Sequence, residues 1–128
     1  MRAPAAVLSA LLFACAAAAP SRGQQISDEA ALAKLRAEIV QLIGDAPCAN
    51  LVHCRALALG WKPCGGPAEY LAYGTVSGKG DLIQAKATEY SILYEDVERT
   101  KGVGGACVAL PPPRVNCVDN RCRVDSGR

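Results

Sequence analysis

Histidine occurs once in the 128 residues, at His53, and tryptophan, phenylalanine and methionine also occur once each. A single imidazole excludes multi-histidine metal sites and leaves any histidine-based acid or base chemistry resting on one side chain. No two of the seven cysteines stand in a C-x2-C pair, the spacing that tetrahedral zinc sites commonly use, so neither a metal nor another cofactor is expected. Charge of one sign is lacking as well. Fourteen Lys and Arg face twelve Asp and Glu. Setting aside Arg2 and Arg22, in or beside the N-terminal leader, leaves a near-neutral domain that excludes nucleic acid as a partner.

The apolar run is short and sits at the start. Met1 and Arg2 precede Ala5 to Ala14, one positive charge followed by a brief hydrophobic segment, which is the pattern of a secretory signal and too short for a membrane span. Two processing routes stay open. Cleavage in the alanine stretch 16–19 makes residues 1–19 a signal peptide and releases a soluble chain. Leu12-Phe13-Ala14-Cys15 also reads as a lipobox, which makes residues 1–14 a lipoprotein signal and Cys15 the lipidated residue. A membrane is a partner only on that second route. Secretion or a periplasmic address, including an outer-membrane lipoprotein, is expected from either.

Without Cys15 the cysteines are an even six: Cys48, Cys54, Cys64, Cys107, Cys117 and Cys122. In an exported chain an even set reads as three disulfides. Residues 20–26 are expected as a polar linker, and 27–128 as a single disulfide-stabilised domain. Ser27 is the expected N-cap of a first helix. Leu32, Leu35, Ile39, Leu42 and Ile43 recur at helical spacing, Lys34 can pair with Glu38, and Gly44 is the stop. Residues 55–59 and 69–76 have strand character, which places Leu57 and Tyr70 on neighbouring strands. Asp81 is positioned to cap a second helix running to Lys101. Ile83, Ala87, Tyr90, Tyr94 and Val97 share one face, and Glu95 pairs with Arg99. Residues 106–110, 114–117 and 121–124 read as three short strands, the first two separated by the rigid connector Pro111-Pro112-Pro113. The sum is an α+β fold, two helices packed on a short antiparallel sheet and stapled by disulfides.

One hairpin carries geometric information. With Asp119-Asn120 as a two-residue turn, Cys117 faces Cys122 in a non-hydrogen-bonded pair, where Cα atoms lie about 4.5 Å apart, within disulfide reach. Cys117 is therefore expected to bond Cys122. Proximity then pairs Cys48 with Cys54, and Cys64 with Cys107 is what is left.

Between the first two strands lies Gly60-Trp61-Lys62-Pro63-Cys64-Gly65-Gly66-Pro67. Proline fixes φ and glycine permits positive φ, so this is a defined loop held at its tip by Cys64. Together with Cys48, Cys54, Arg55, Tyr70-Leu71-Ala72-Tyr73, Cys107 and the 117–122 hairpin, its Lys-Pro-Cys-Gly-Gly-Pro core resembles a group of small exported bacterial proteins. The resemblance spans residues 43–124. It implies export, a common fold and shared cysteines, and it carries no catalytic or binding residue with it.

Catalytic groups are sparse. His53 lies between cysteines in a short turn and reads as an exposed polar residue, and bonded cysteines offer no thiolate. Glu95, Asp96 and Glu98 read as a solvated helix face, and the glycines of 102–105 lack the strand-to-helix context of a phosphate loop. Trp61 and Tyr73 are candidates to line a groove or to join the core. The expectation is a monomeric, non-catalytic binding module, inhibitor-like, that presents Trp61, Lys62, Pro63, Gly65 and Gly66 to a protein or peptide partner. The alternative is a lipid-anchored envelope structural protein whose loop only closes the core, with an enzyme as a remote third reading.

Overall fold

The computed structural model describes Ala19, residues 21–102, Gly104 and residues 108–125. Residues 1–18 of the expected leader, with Cys15 among them, and Cys107 lie outside the described residues. Two helices of equal length, α1 (Arg22–Ile43) and α2 (Gly80–Lys101), flank an antiparallel strand pair, β1 (Cys54–Leu59) and β2 (Glu69–Gly74). The C-terminal hairpin β3 (Val115–Val118) and β4 (Arg121–Val124) forms a second two-stranded sheet. The fold is α+β as expected, with two small sheets rather than one.

α1 begins earlier than its sequence suggests. Ser21, not Ser27, is the N-cap, and its hydroxyl accepts the Gln24 N–H at 3.4 Å. Residues 22–26, expected as linker, are therefore helical. Ser27 is an interior residue, its hydroxyl donating to the Gln24 carbonyl at 2.7 Å, while the Gln24 amide reaches Asp28 one turn on. A serine followed by acidic residues looks like a cap wherever it falls, and an earlier serine pre-empted it. The other end is as expected: Gly44 takes φ 53° and its N–H returns to the Val40 carbonyl. Glu38 does not pair with Lys34. It reaches across to Lys86 at 3.1 Å, and Glu29 meets Lys101 at 2.9 Å, so two ion pairs fix α1 antiparallel to α2.

In α2 the expected stripe is the one that is buried, with Ile83, Ala87, Tyr90 and Val97 inside and Tyr94 packed at the edge. Asp81 lies in the first turn and makes no cap, because Lys79 holds the N-cap position without a side-chain bond. The helical stripes cover one face of β1 and β2, where Leu57, Leu59 and Tyr73 complete a core with Leu35, Ile39, Ile83, Ala87 and Tyr90. In the sheet Leu57 opposes Leu71 and Ala58 opposes Tyr70, which confirms the neighbouring strands. The other face of the sheet is covered by the hairpin.

The hairpin has the expected turn: Asp119 and Asn120 take φ 51° and 59°, and Cys117 opposes Cys122. Of the strand expected at 106–110, the described residues 108–110 are exposed and join no ladder, while Ala106 and Cys107 lie outside the described residues. The hairpin's partner is residues 46–48 instead. The Cys122 N–H donates to the Ala46 carbonyl at 2.8 Å, and the Cys48 N–H donates to the Asn120 carbonyl at 3.0 Å.

The disulfide pairing corrects two expectations. Cys117 bonds Cys48, and Cys54 bonds Cys122, in place of Cys117 with Cys122 and Cys48 with Cys54. The register was right and the chemistry differed. Directly opposite residues project from the same face of a hairpin, and here that face lies on the 46–54 segment, so each hairpin sulfur meets a different sulfur from the layer beneath. Cys64 is also disulfide-bonded. Its expected partner Cys107 lies outside the described residues.

This close packing of layers leaves no room at Gly74. A Cβ there would collide with the Pro47 carbonyl oxygen and lie 3.1 Å from the Ala46 carbonyl carbon, both backbone atoms that cannot swing away. Gly74→Ala is expected to lower stability by about 2 kcal/mol or more, measured as the shift of the thermal or urea midpoint; an unchanged midpoint contradicts the close approach. A second prediction concerns alkali. Burial first, and then the Glu69 carboxylate, raise the Tyr90 phenol above its usual value of 10.0. The folded chain thus holds that proton more tightly than the unfolded one, so the stabilisation is intact below pH 10.0 and lost as pH climbs through the raised value. Tyr90→Phe should flatten the alkaline limb of the stability profile without altering it at neutral pH.

Candidate functional site

The 61–67 loop begins where β1 runs out. Gly60 takes φ 74°, and a Cβ on it would sit 2.8 Å from the Ala68 Cβ, so the chain can leave the strand there only as glycine. Its N–H donates to the Ser91 hydroxyl of α2 at 3.1 Å. Lys62 closes the loop with both of its backbone groups: its carbonyl accepts the Gly65 N–H at 3.0 Å and its N–H donates to the Gly66 carbonyl at 3.1 Å. Gly65 and Gly66 supply the positive φ this requires, 92° and 85°. Pro63, Cys64, Gly65 and Gly66 are exposed at the tip, while Trp61, Lys62 and Pro67 are half-buried at the base. The five residues expected to form a binding surface are thus brought together, although Trp61 and Lys62 stand lower than the tip.

Trp61 is held from α2. The Arg99 guanidinium lies 4.8 Å from the ring centroid, and Glu95 orients it through bonds of 2.8 Å and 2.6 Å to Nε and Nη2. The expected Glu95 to Arg99 pair is therefore present and has a further task. Nothing in the spacing of a tryptophan and an arginine 38 positions apart signals this stack. Glu98 approaches Lys101 at 3.6 Å, and Asp96 is exposed.

Beside Trp61 runs an open groove of about 300 Å³ between the outer edge of β1 and α2. Ala58, Trp61, Thr88, Ile92 and Glu95 line it, and Ile92 is 60% exposed. A larger hollow of about 420 Å³ lies between β2, β4 and the end of α1, walled by apolar chains with Tyr70 and Arg123. Only the first adjoins the loop. Tyr73 belongs to the core, its hydroxyl accepting a bond from the Gln84 amide at 3.0 Å.

His53 is half-buried in a single 3-10 turn, Leu51–His53, where its Nδ1 accepts the Ala49 N–H at 3.1 Å. That nitrogen is occupied with shaping the turn. Three sulfurs, those of Cys48, Cys54 and Cys122, lie within 4.8 Å of one another in the second core, but each belongs to a disulfide. Disulfides indicate an oxidising, non-cytoplasmic compartment. Among the described residues no helix is long and apolar enough to cross a membrane.

No family model, no curated protein and no solved structure matches the chain.

The Arg99 stack generates a direct expectation. Arg99→Gln should shift the fluorescence of the sole tryptophan toward longer wavelength as the ring loses its cover, and cost no more than about 1 kcal/mol, the range for an exposed cation–π contact. An unaltered spectrum contradicts the contact.

Proposed function

We propose that this chain is a non-catalytic binding module of the secreted or periplasmic space, and that the 61–67 loop with its adjoining groove receives a protein or peptide partner. The observation that carries the reading is the mounting of Trp61. Its ring is braced by Arg99 at 4.8 Å and lines the groove, and the exposed tip follows directly after it in the loop. A loop with two prolines, two internal backbone bonds and a disulfide has little conformational entropy left to lose on binding. Half-exposed tryptophan next to an arginine is also the composition favoured at the energetic centre of interfaces. The resemblance to small exported bacterial proteins agrees with the compartment and adds no activity.

The test uses the oxidised protein as bait in its native envelope or secretome, beside Trp61→Ala and Lys62→Ala. The reading expects a partner retained by the wild type and lost by both variants at an unchanged melting temperature. If the variants melt early and retain the same partners, the loop serves the core and the module reading fails.

A further inference from the structure

The second core is unusual in that it consists largely of sulfur. Cys48, Cys54 and Cys122 are 6%, 3% and 6% exposed, whereas Cys117 is half-buried at its edge. The two bridges also lie against each other, with sulfurs of different bridges within 4.8 Å. Cys117 stands directly opposite Cys122 in the hairpin. A second pairing of the same four sulfurs, Cys48 with Cys54 and Cys117 with Cys122, is thus available within this cluster.

We propose that Cys117 is a thiol–disulfide exchange site, at which the thiolate of a dithiol or a small-molecule thiol interconverts the two pairings, and that the chain reaches its crossed bridges through the local ones. The observed bridges cross in sequence and span 69 and 68 residues, whereas the local ones span only about six and five. Loop closure goes as the three-halves power of length and favours the local bridges by about 40-fold in an unfolded chain. Each forms by oxidation of two thiols with reduction of one external disulfide. The subsequent exchange is redox-neutral.

An incoming thiolate attacks the Cys117 sulfur of the local bridge and expels Cys122 as a thiolate. Cys122 attacks Cys54, forming Cys54–Cys122 and expelling Cys48. Cys48 attacks Cys117, forming Cys48–Cys117 and returning the incoming thiolate. Every step breaks one S–S bond and forms one, as exchange through mixed disulfides requires. In the folded protein the same edge position makes Cys117 the sulfur that an external thiol reaches first.

Two measurements test this on the full chain. In the first, folded oxidised protein is exposed to limiting reduced glutathione, quenched with acid, alkylated and mapped by mass spectrometry. Within the cluster the first adduct is expected on Cys117 with the free thiol at Cys48; adducts at Cys64 are scored apart, since its bridge shares no sulfur with the cluster. A first adduct on Cys48, Cys54 or Cys122, or none on any of the four, overturns the site.

In the second, reduced unfolded chain is oxidised with glutathione disulfide alone, with added reduced glutathione, or with a protein dithiol isomerase. The local bridges should appear first in all three arms, and the crossed ones should replace them faster where thiol is added. The last two arms separate a small thiol from a protein dithiol as the more effective partner. Crossed bridges formed first, or local bridges never seen, overturn the route.

Discussion

The covalent tie between the 46–54 segment and the C-terminal hairpin is the constraint on which the second layer of this fold depends. Strands of four residues make a hairpin that is marginal by itself in water. Its inner face offers only Val115, Cys117, Cys122 and Val124. One bridge across 69 residues contributes about 4 kcal/mol in the chain-entropy model. The second closes only a small ring through segments 48–54 and 117–122 once the first exists and adds less. What it adds besides energy is orientation, because two adjacent bridges stop the hairpin from pivoting, and the bonds from Cys122 to Ala46 and from Cys48 to Asn120 then fall into register. Gly74 belongs to the same constraint, since the 46–48 segment can lie where it does only if the strand beneath carries no side chain.

The helical layer is held differently. Ile39, Leu57, Leu59 and Ile83 are its fully buried chains, and their packing depends on periodicity rather than cross-links. Charge organises its rim. Arg36 grips Glu69 of β2 in a two-pronged pair at 3.0 Å and 3.1 Å, which raises the arginine above its usual value, chiefly through that hydrogen bond. Such exposed pairs add little stability each. Their use here is registry: Arg36 to Glu69, Glu38 to Lys86 and Glu29 to Lys101 tie α1 to the sheet and to α2 at three heights.

This division explains what could be read from the residues alone. The α2 stripe, the Gly44 stop, the β1–β2 pairing and the Asp119-Asn120 turn were legible because each is decided by neighbours in sequence or by a short connection. The cysteine pairing was not. Cys117 and Cys122 satisfy disulfide geometry within their hairpin, and nothing local says that two further sulfurs lie under the same face. The start of α1 was missed for a related reason, as Ser21 and Ser27 are equally good caps in isolation and only continuation of the helix chooses between them. Arg99 on Trp61 joins a strand end to a helix end and has no pattern in the sequence at all.

The candidate loop is insulated from the part of the structure that sequence reasoning got wrong. Its shape follows from Gly60, from the two backbone bonds of Lys62 and from positive φ at Gly65 and Gly66, and its footing is on Ser91 and Arg99 of α2. None of these contacts involves the hairpin or its sulfurs. The bridges between 48, 54, 117 and 122 act on the far face of the β1–β2 sheet, and no contact that mounts Trp61 runs through them. The two halves of the domain are thus held by separate means: the loop takes its shape and footing from the helical layer, and the hairpin takes its place from the sulfurs.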